Sequence, residues 1–161
     1  MEAILFYILA AVTLAGTVCA ITARQAVRAI IYLVTSFFAL ALIFYLLGAP
    51  LVAAFEVIIY AGAIMVLFLF VIMMLDLGHP DKIEIPRLAD WWPAALLFVT
   101  ILGSVVILAV TGPPRAPGGF TGVSVREFSL ALFRRYGVAV EIISMQLLFA
   151  LVGALYLGRR R

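Results

Sequence analysis

Histidine and cysteine are almost absent from this 161-residue sequence, which holds one of each, His79 and Cys19. A single cysteine excludes an internal disulfide framework and any cysteine-cluster metal site. A lone histidine beside Pro80 reads as a solvated loop side chain. Charge is scarce as well: 11 Lys plus Arg and 8 Asp plus Glu make up 12% of the chain and leave a net charge of +3. Disorder needs high charge and low hydrophobicity, and nucleic-acid binding needs basic residues gathered on one face. Here the charges sit between apolar runs, which supports neither. The sequence has no H-E-x-x-H, no C-x-x-C, no G-x-G-x-x-G and no P-loop, so the short motifs that carry metal, redox or phosphate chemistry are missing. The expectation is a chain with no catalytic residue, no metal and no cofactor of its own.

What is abundant is apolar. Hydrophobic residues make up 67% of the chain, against roughly 45–50% in a soluble domain. A fold this small has no interior large enough for that surface, so the bilayer must supply the apolar surroundings. A crossing needs about 20 mostly apolar residues. Five runs qualify: 3–23, 29–47, 51–75, 92–110 and 138–157. They are continuous rather than alternating, which predicts helices and not the strands of a barrel. The fold class is therefore an all-α integral membrane protein, with residues 1–161 forming one membrane domain. The N-terminal run lacks a basic flank and is long enough to span, so it is expected to stay as a helix rather than be cleaved as a signal.

Five crossings put the termini on opposite sides. With the N-terminus outside, the inner segments hold Arg24, Arg28, Lys82, Arg87, Arg159, Arg160 and Arg161, and the outer ones Arg115, Arg126, Arg134 and Arg135. Lys and Arg favour the cytoplasmic side, which points to N-out, C-in. The pair Trp91-Trp92 fits an interfacial belt at the inner end of the fourth run. Two longer connections remain. Asp76 to Trp91 is charged and mixed in sign; Thr111 to Gly137 begins Pro/Gly-rich and then turns helical in pattern. Residues 124–134 place Val125, Phe128, Leu132 and Phe133 at one-face spacing. That pattern fits an amphipathic helix on the surface or against a partner, and equally an N-terminal extension of the fifth span.

Ionisable groups inside a span cost about 2.5–3.5 kcal/mol at the centre on insertion scales, and so mark function by default. Glu56 and Glu141 lie within apolar runs. Glu56 is five residues into the third run, and Tyr60 follows at i+4, on the same face of an α-helix. Low dielectric penalises a charged carboxyl and lets it hold a proton near neutral pH. A phenol one turn away can extend a hydrogen-bonded chain. Glu56 and Tyr60 thus read either as a segment of a proton path or as a snorkelling carboxylate beside a packing ring. Glu141, in the first turn of the fifth span, could belong to the same path, although a helix N-terminus favours a carboxylate on electrostatic grounds alone. Small residues recur at four-residue spacing in Ala150, Ala154 and Gly158, which suits close helix approach. Ala61-Gly62-Ala63 in the third run suits close packing or a helix irregularity.

The run Glu56-Val57-Ile58-Ile59-Tyr60-Ala61-Gly62-Ala63-Ile64-Met65-Val66, continuing to Leu75, resembles the third span of the subunit J family of bacterial respiratory complex I, the counterpart of mitochondrial subunit 6. Leu132 to Tyr136, Glu141, Ser144 and Gly153-Ala154 resemble the family's fifth span, although this chain has Ala139-Val140 where the family often has Pro-Phe. The resemblance implies a membrane-arm subunit of a proton-translocating NADH-quinone oxidoreductase in the bacterial inner membrane. Its partners would be the quinone-site subunit, neighbouring small subunits and antiporter-like subunits. FMN, iron–sulfur clusters, quinone and the NADH site would belong to those other subunits. It also implies a π-bulge over Tyr60, Ala61, Gly62, Ala63, Ile64, Met65 and Val66, whose conversion to α-helix gates a water chain. A π-bulge is a one-residue excess in the ladder; losing it turns the rest of the helix by about 100°, enough to move Met65 or Phe68. Rival readings are the equivalent subunit of a complex fed by ferredoxin or a deazaflavin, a stand-alone ion transporter, and a purely structural helper.

Overall fold

The computed structural model describes residues 2–23, 25–75, 92–111 and 123–159. The charged connection with His79 and the Pro/Gly-rich stretch 112–122 lie outside the described residues. The described residues are helical. In chain order they form α1 (Glu2–Thr22), α2 (Ala26–Leu46), α3 (Pro50–Phe55), a π segment (Glu56–Ile64), α4 (Met65–Met74), α5 (Trp92–Thr111), α6 (Val125–Arg135) and α7 (Gly137–Gly158). Five crossings are long and apolar enough for a bilayer, the third being α3, the π segment and α4 taken together. The chain is a multi-pass membrane protein.

It divides into two compact units, residues 1–122 and 123–161. In the first, α2 is the hub: it packs against α1, α3, the π segment, α4 and α5. Its core joins Leu5, Leu9 and Val12 of α1 to Ala39 and Ile43 of α2 and Leu97 and Ile101 of α5. Lipid removes most of the hydrophobic drive between helices, so packing and interhelical hydrogen bonds must hold them. Both are seen at α1–α2. A β-carbon on Gly16 would lie 3.2 Å from Ser36 Cβ and 3.3 Å from the Tyr32 carbonyl oxygen. Ser36 is buried; its hydroxyl donates to the Thr13 carbonyl at 3.0 Å and lies 3.0 Å from the Thr17 hydroxyl. Gly16→Leu should therefore push α1 from α2 and remove most of the protein from assembled, detergent-stable material. Gly103→Leu, at a glycine with open space around it, should leave the yield unchanged. Immunoblots of native gels measure both.

The α2–α3 turn follows directly from Gly48-Ala49-Pro50. Gly48 takes φ 79°, the left-handed conformation that favours glycine. The Gly48 amide donates to the Tyr45 carbonyl at 3.1 Å and the Ala49 amide to the Phe44 carbonyl at 3.0 Å. These are the two bonds of a Schellman end. Pro50 then opens α3, where its missing amide costs nothing and its fixed φ suits the first turn. The second unit contains α6 and α7, separated at Tyr136, which leaves helical geometry at φ −116°, ψ 19°. The bounded helix over 125–135 thus forms as its own element rather than as an uninterrupted extension of the fifth span.

Candidate functional site: the π segment of the third span

The third span begins in α register and changes within two turns. The Glu56 amide still reaches the Val52 carbonyl, four residues back, and the Met65 amide reaches the Tyr60 carbonyl, five residues back. By Leu75 the four-residue step has returned, with its amide on the Val71 carbonyl at 2.9 Å. Nine residues, Glu56–Ile64, lie in the π register. The resemblance placed the irregularity over Tyr60 to Val66. The two share Tyr60, Ala61, Gly62, Ala63 and Ile64, while the structure starts one turn earlier, at Glu56, and has α-helix at Met65 and Val66.

The wider turn decides which side chains share a face. The buried residues of this span are Ala53, Glu56, Ala61 and Met65. An α-helix repeats a face every three or four residues; the interval from Glu56 to Ala61 is five. The α rule therefore misplaces Tyr60. Glu56 is 8% exposed and Tyr60 48% exposed, so they do not share one buried face. Tyr60 instead sets its ring against Phe37 of α2, centroids 5.6 Å apart and planes inclined by 49°. Sequence reasoning named both residues but took the helix as regular. Ala61, already named with the small-residue run and the π-bulge, is the buried partner of Glu56 on this face, which the i+4 rule does not pick out. Ala61 is buried in a segment that packs against α2.

Gly62 shows how tight the π register is. A β-carbon there would lie 3.1 Å from the Val57 carbonyl oxygen, and no atom of a neighbouring helix among the described residues lies within 4 Å of it. Val57 is five residues back, the acceptor that a π register assigns to the Gly62 amide. The constraint on a side chain at 62 thus comes from its own helix, not from a neighbouring one. That favours the irregularity over close interhelical packing as the reason for this glycine.

Beside the π segment runs an apolar groove of about 500 Å³ between α2, α4 and α5. Ala61 and Met65 line it from the third span, facing Thr35 and Phe38 of α2 and Ile101 of α5. The Thr35 hydroxyl is turned inward on its own helix, donating to the Ile31 carbonyl at 2.8 Å. Met65 is buried and Phe68 exposed, so of these two side chains it is Met65 that lines the groove.

Glu141 belongs to the second unit. α7 starts at Gly137, with Tyr136 as its N-cap, so Glu141 is its fifth residue and lies beyond the first turn. The macrodipole fades within that turn, and helix electrostatics alone accounts for Glu141 less well than its sequence position implied. Among the described residues no three His, Cys, Asp or Glu stand together to hold a metal ion.

The chain matches the family model of NADH-ubiquinone/plastoquinone oxidoreductase chain 6 over residues 16–157. It is 43% identical to NADH-quinone oxidoreductase subunit J of Pseudomonas aeruginosa, over 96% of this chain and 95% of the relative. It is 38% identical to the protein of that name from Escherichia coli strain K12, covering 96% of this chain and 85% of the relative. A third subunit J, from Buchnera aphidicola subsp. Schizaphis graminum, is 33% identical across 97% of each chain.

Proposed function

Because this chain belongs to the NADH-ubiquinone/plastoquinone oxidoreductase chain 6 family, we propose that it is the membrane-arm subunit J of a proton-translocating NADH-quinone oxidoreductase. In this reading it sits in a bacterial inner membrane with its N-terminus outside. It packs against the quinone-site subunit, neighbouring small subunits and antiporter-like subunits. NADH, FMN, the iron–sulfur clusters and quinone are handled by those other chains. The chain itself carries no redox centre and couples quinone reduction to proton movement through its third span.

The observation that carries the reading is the nine-residue π register with a buried carboxyl at its first position. Both features cost free energy. A π ladder is rare outside functional sites, and a carboxyl in a span is expensive. A span that only anchors the chain needs neither. The register offers two states, wound with or without the extra residue. Glu56 and Tyr60 border a water path at the upper end of the moving section, and Met65 turns with α4 at the groove. Glu141 is a second carboxyl for the same proton path.

The test of this assignment is isolation of the tagged full chain from its own membranes in mild detergent. NADH-oxidising and quinone-site subunits should co-purify at stoichiometric yield, and the assembly should reduce quinone with NADH. An assembly that accepts only reduced ferredoxin or a reduced deazaflavin would move the chain to a related complex. A homo-oligomer that conducts ions in liposomes, with no redox subunits attached, would overturn the proposal.

A further inference from the structure

We propose that α6 lies in the membrane surface and binds anionic phospholipid headgroups through Arg126, Arg134 and Arg135. The argument starts with position. α7 begins at Gly137 and is long and apolar enough to cross, so residue 137 marks a membrane boundary and α6 ends within two residues of it. The non-helical geometry at Tyr136 frees α6 from the axis of α7. Tyrosine at that point suits the headgroup level, with an apolar ring and a polar tip.

The second argument is the distribution of side chains. At about 100° per residue, Val125, Phe128, Leu132 and Phe133 occupy one arc of the helix. Arg126 and Arg135 fall at the two edges of that arc, and Arg134 lies on the opposite face. Val125 is 69% and Phe133 67% exposed. Arginines flanking an apolar face can lay their stems along hydrocarbon and present the guanidinium to phosphate. The one carboxylate of the helix is held away at its start: Glu127 accepts from the Ser124 amide at 3.2 Å, while the Ser124 hydroxyl accepts from the Glu127 amide at 3.2 Å. This capping box fixes the N-terminus, so α6 presents a net positive surface toward its C-terminal end, next to the span. Apolar face, flanking cations and an adjoining crossing together match the interface of an anionic bilayer.

The test uses the full chain, with Cys19→Ala and a fluorophore on Phe133→Cys, in vesicles of phosphatidylcholine mixed with phosphatidylglycerol. A second label on Val125→Cys guards against a local effect of the first. Brominated phosphatidylcholine should quench both labels, since their sites contact acyl chains. Brominated phosphatidylglycerol should quench with at least about fivefold selectivity, the value of a single arginine near an anionic surface at about 1 kcal/mol. Selectivity should fall toward unity when Arg126, Arg134 and Arg135 are all replaced by Gln. Quenching by neither lipid would overturn the proposal and leave the face to water or to a protein partner. Equal quenching by both would overturn the headgroup assignment.

Discussion

Gly62→Ala leaves the assembly intact and lowers quinone-coupled turnover, and Gly62→Val lowers it further. The expectation rests on the 3.1 Å approach of a residue-62 β-carbon to the Val57 carbonyl oxygen. That oxygen is backbone, so the helix itself must give way. Bond-angle strain alone costs about 1 kcal/mol for a 7° distortion, and about 1.4 kcal/mol changes a two-state ratio tenfold. Alanine should thus bias the span away from the π register by about fivefold and slow turnover by a similar factor. Valine adds a side chain stiff at χ1 and should nearly abolish turnover. Assembled complex and turnover, measured in the same membranes, decide the matter. If valine removes the complex before it slows the reaction, Gly62 serves packing against another subunit. Structures trapped in different catalytic states give the direct reading: one unchanged hydrogen-bond register over Glu56–Ile64 in all of them would end the switch proposal.

The second large effect is expected at Glu56. Gln keeps the volume and the hydrogen-bonding capacity of the carboxyl but cannot exchange a proton. Glu56→Gln should leave the amount of complex unchanged and slow proton transfer by about a hundredfold, the low end of what a positioned proton-transfer group contributes. Glu56→Asp should restore part of the rate. Proton uptake by sealed vesicles, divided by NADH oxidised, is the measurement. Normal pumping in a fully assembled Gln variant would make Glu56 a structural residue. Tyr60→Phe tests the phenol on its own: the ring contact with Phe37 survives, and only the hydroxyl is lost. Assembly should be unchanged, with a smaller fall in pumping than at Glu56.

Much of the first unit was legible in the sequence because each crossing is an unbroken apolar run. The helix ends fall close to the expected ones. α1 stops at Thr22 rather than Ala23, and α2 begins at Ala26 rather than Ala29, since nothing in Gln25-Ala26-Val27-Arg28 breaks a helix. Gly48-Ala49-Pro50 announced its turn by residue type alone. The π register was not legible from periodicity, because Glu56 to Leu75 is apolar on every side and offers no polar face to time the turn; it came from the resemblance. Pairing Glu56 with Tyr60 failed for the same reason: the i+4 rule assumes the ladder that this segment departs from. A start at Val138 places Glu141 in a first turn; the observed start at Gly137, after the break at Tyr136, places it beyond. The groove beside Met65 has walls from three helices far apart in sequence, and no local pattern encodes it.

The Schellman end at Gly48 determines where a change in winding can go. Three consecutive amides at the close of α2 are already bonded, and Pro50 has no amide with which to slide into a new partner. The upper six residues of the third crossing are in effect clamped. If the extra residue is lost, the correction has to travel toward Met74, and α4 behaves as a screw held at its head. It turns by about 100° and shifts by about 1.5 Å along its axis. In the proposed switch the rotation would therefore emerge at the far end of the crossing, at Met73, Met74 and Leu75, while Pro50–Phe55 stay fixed.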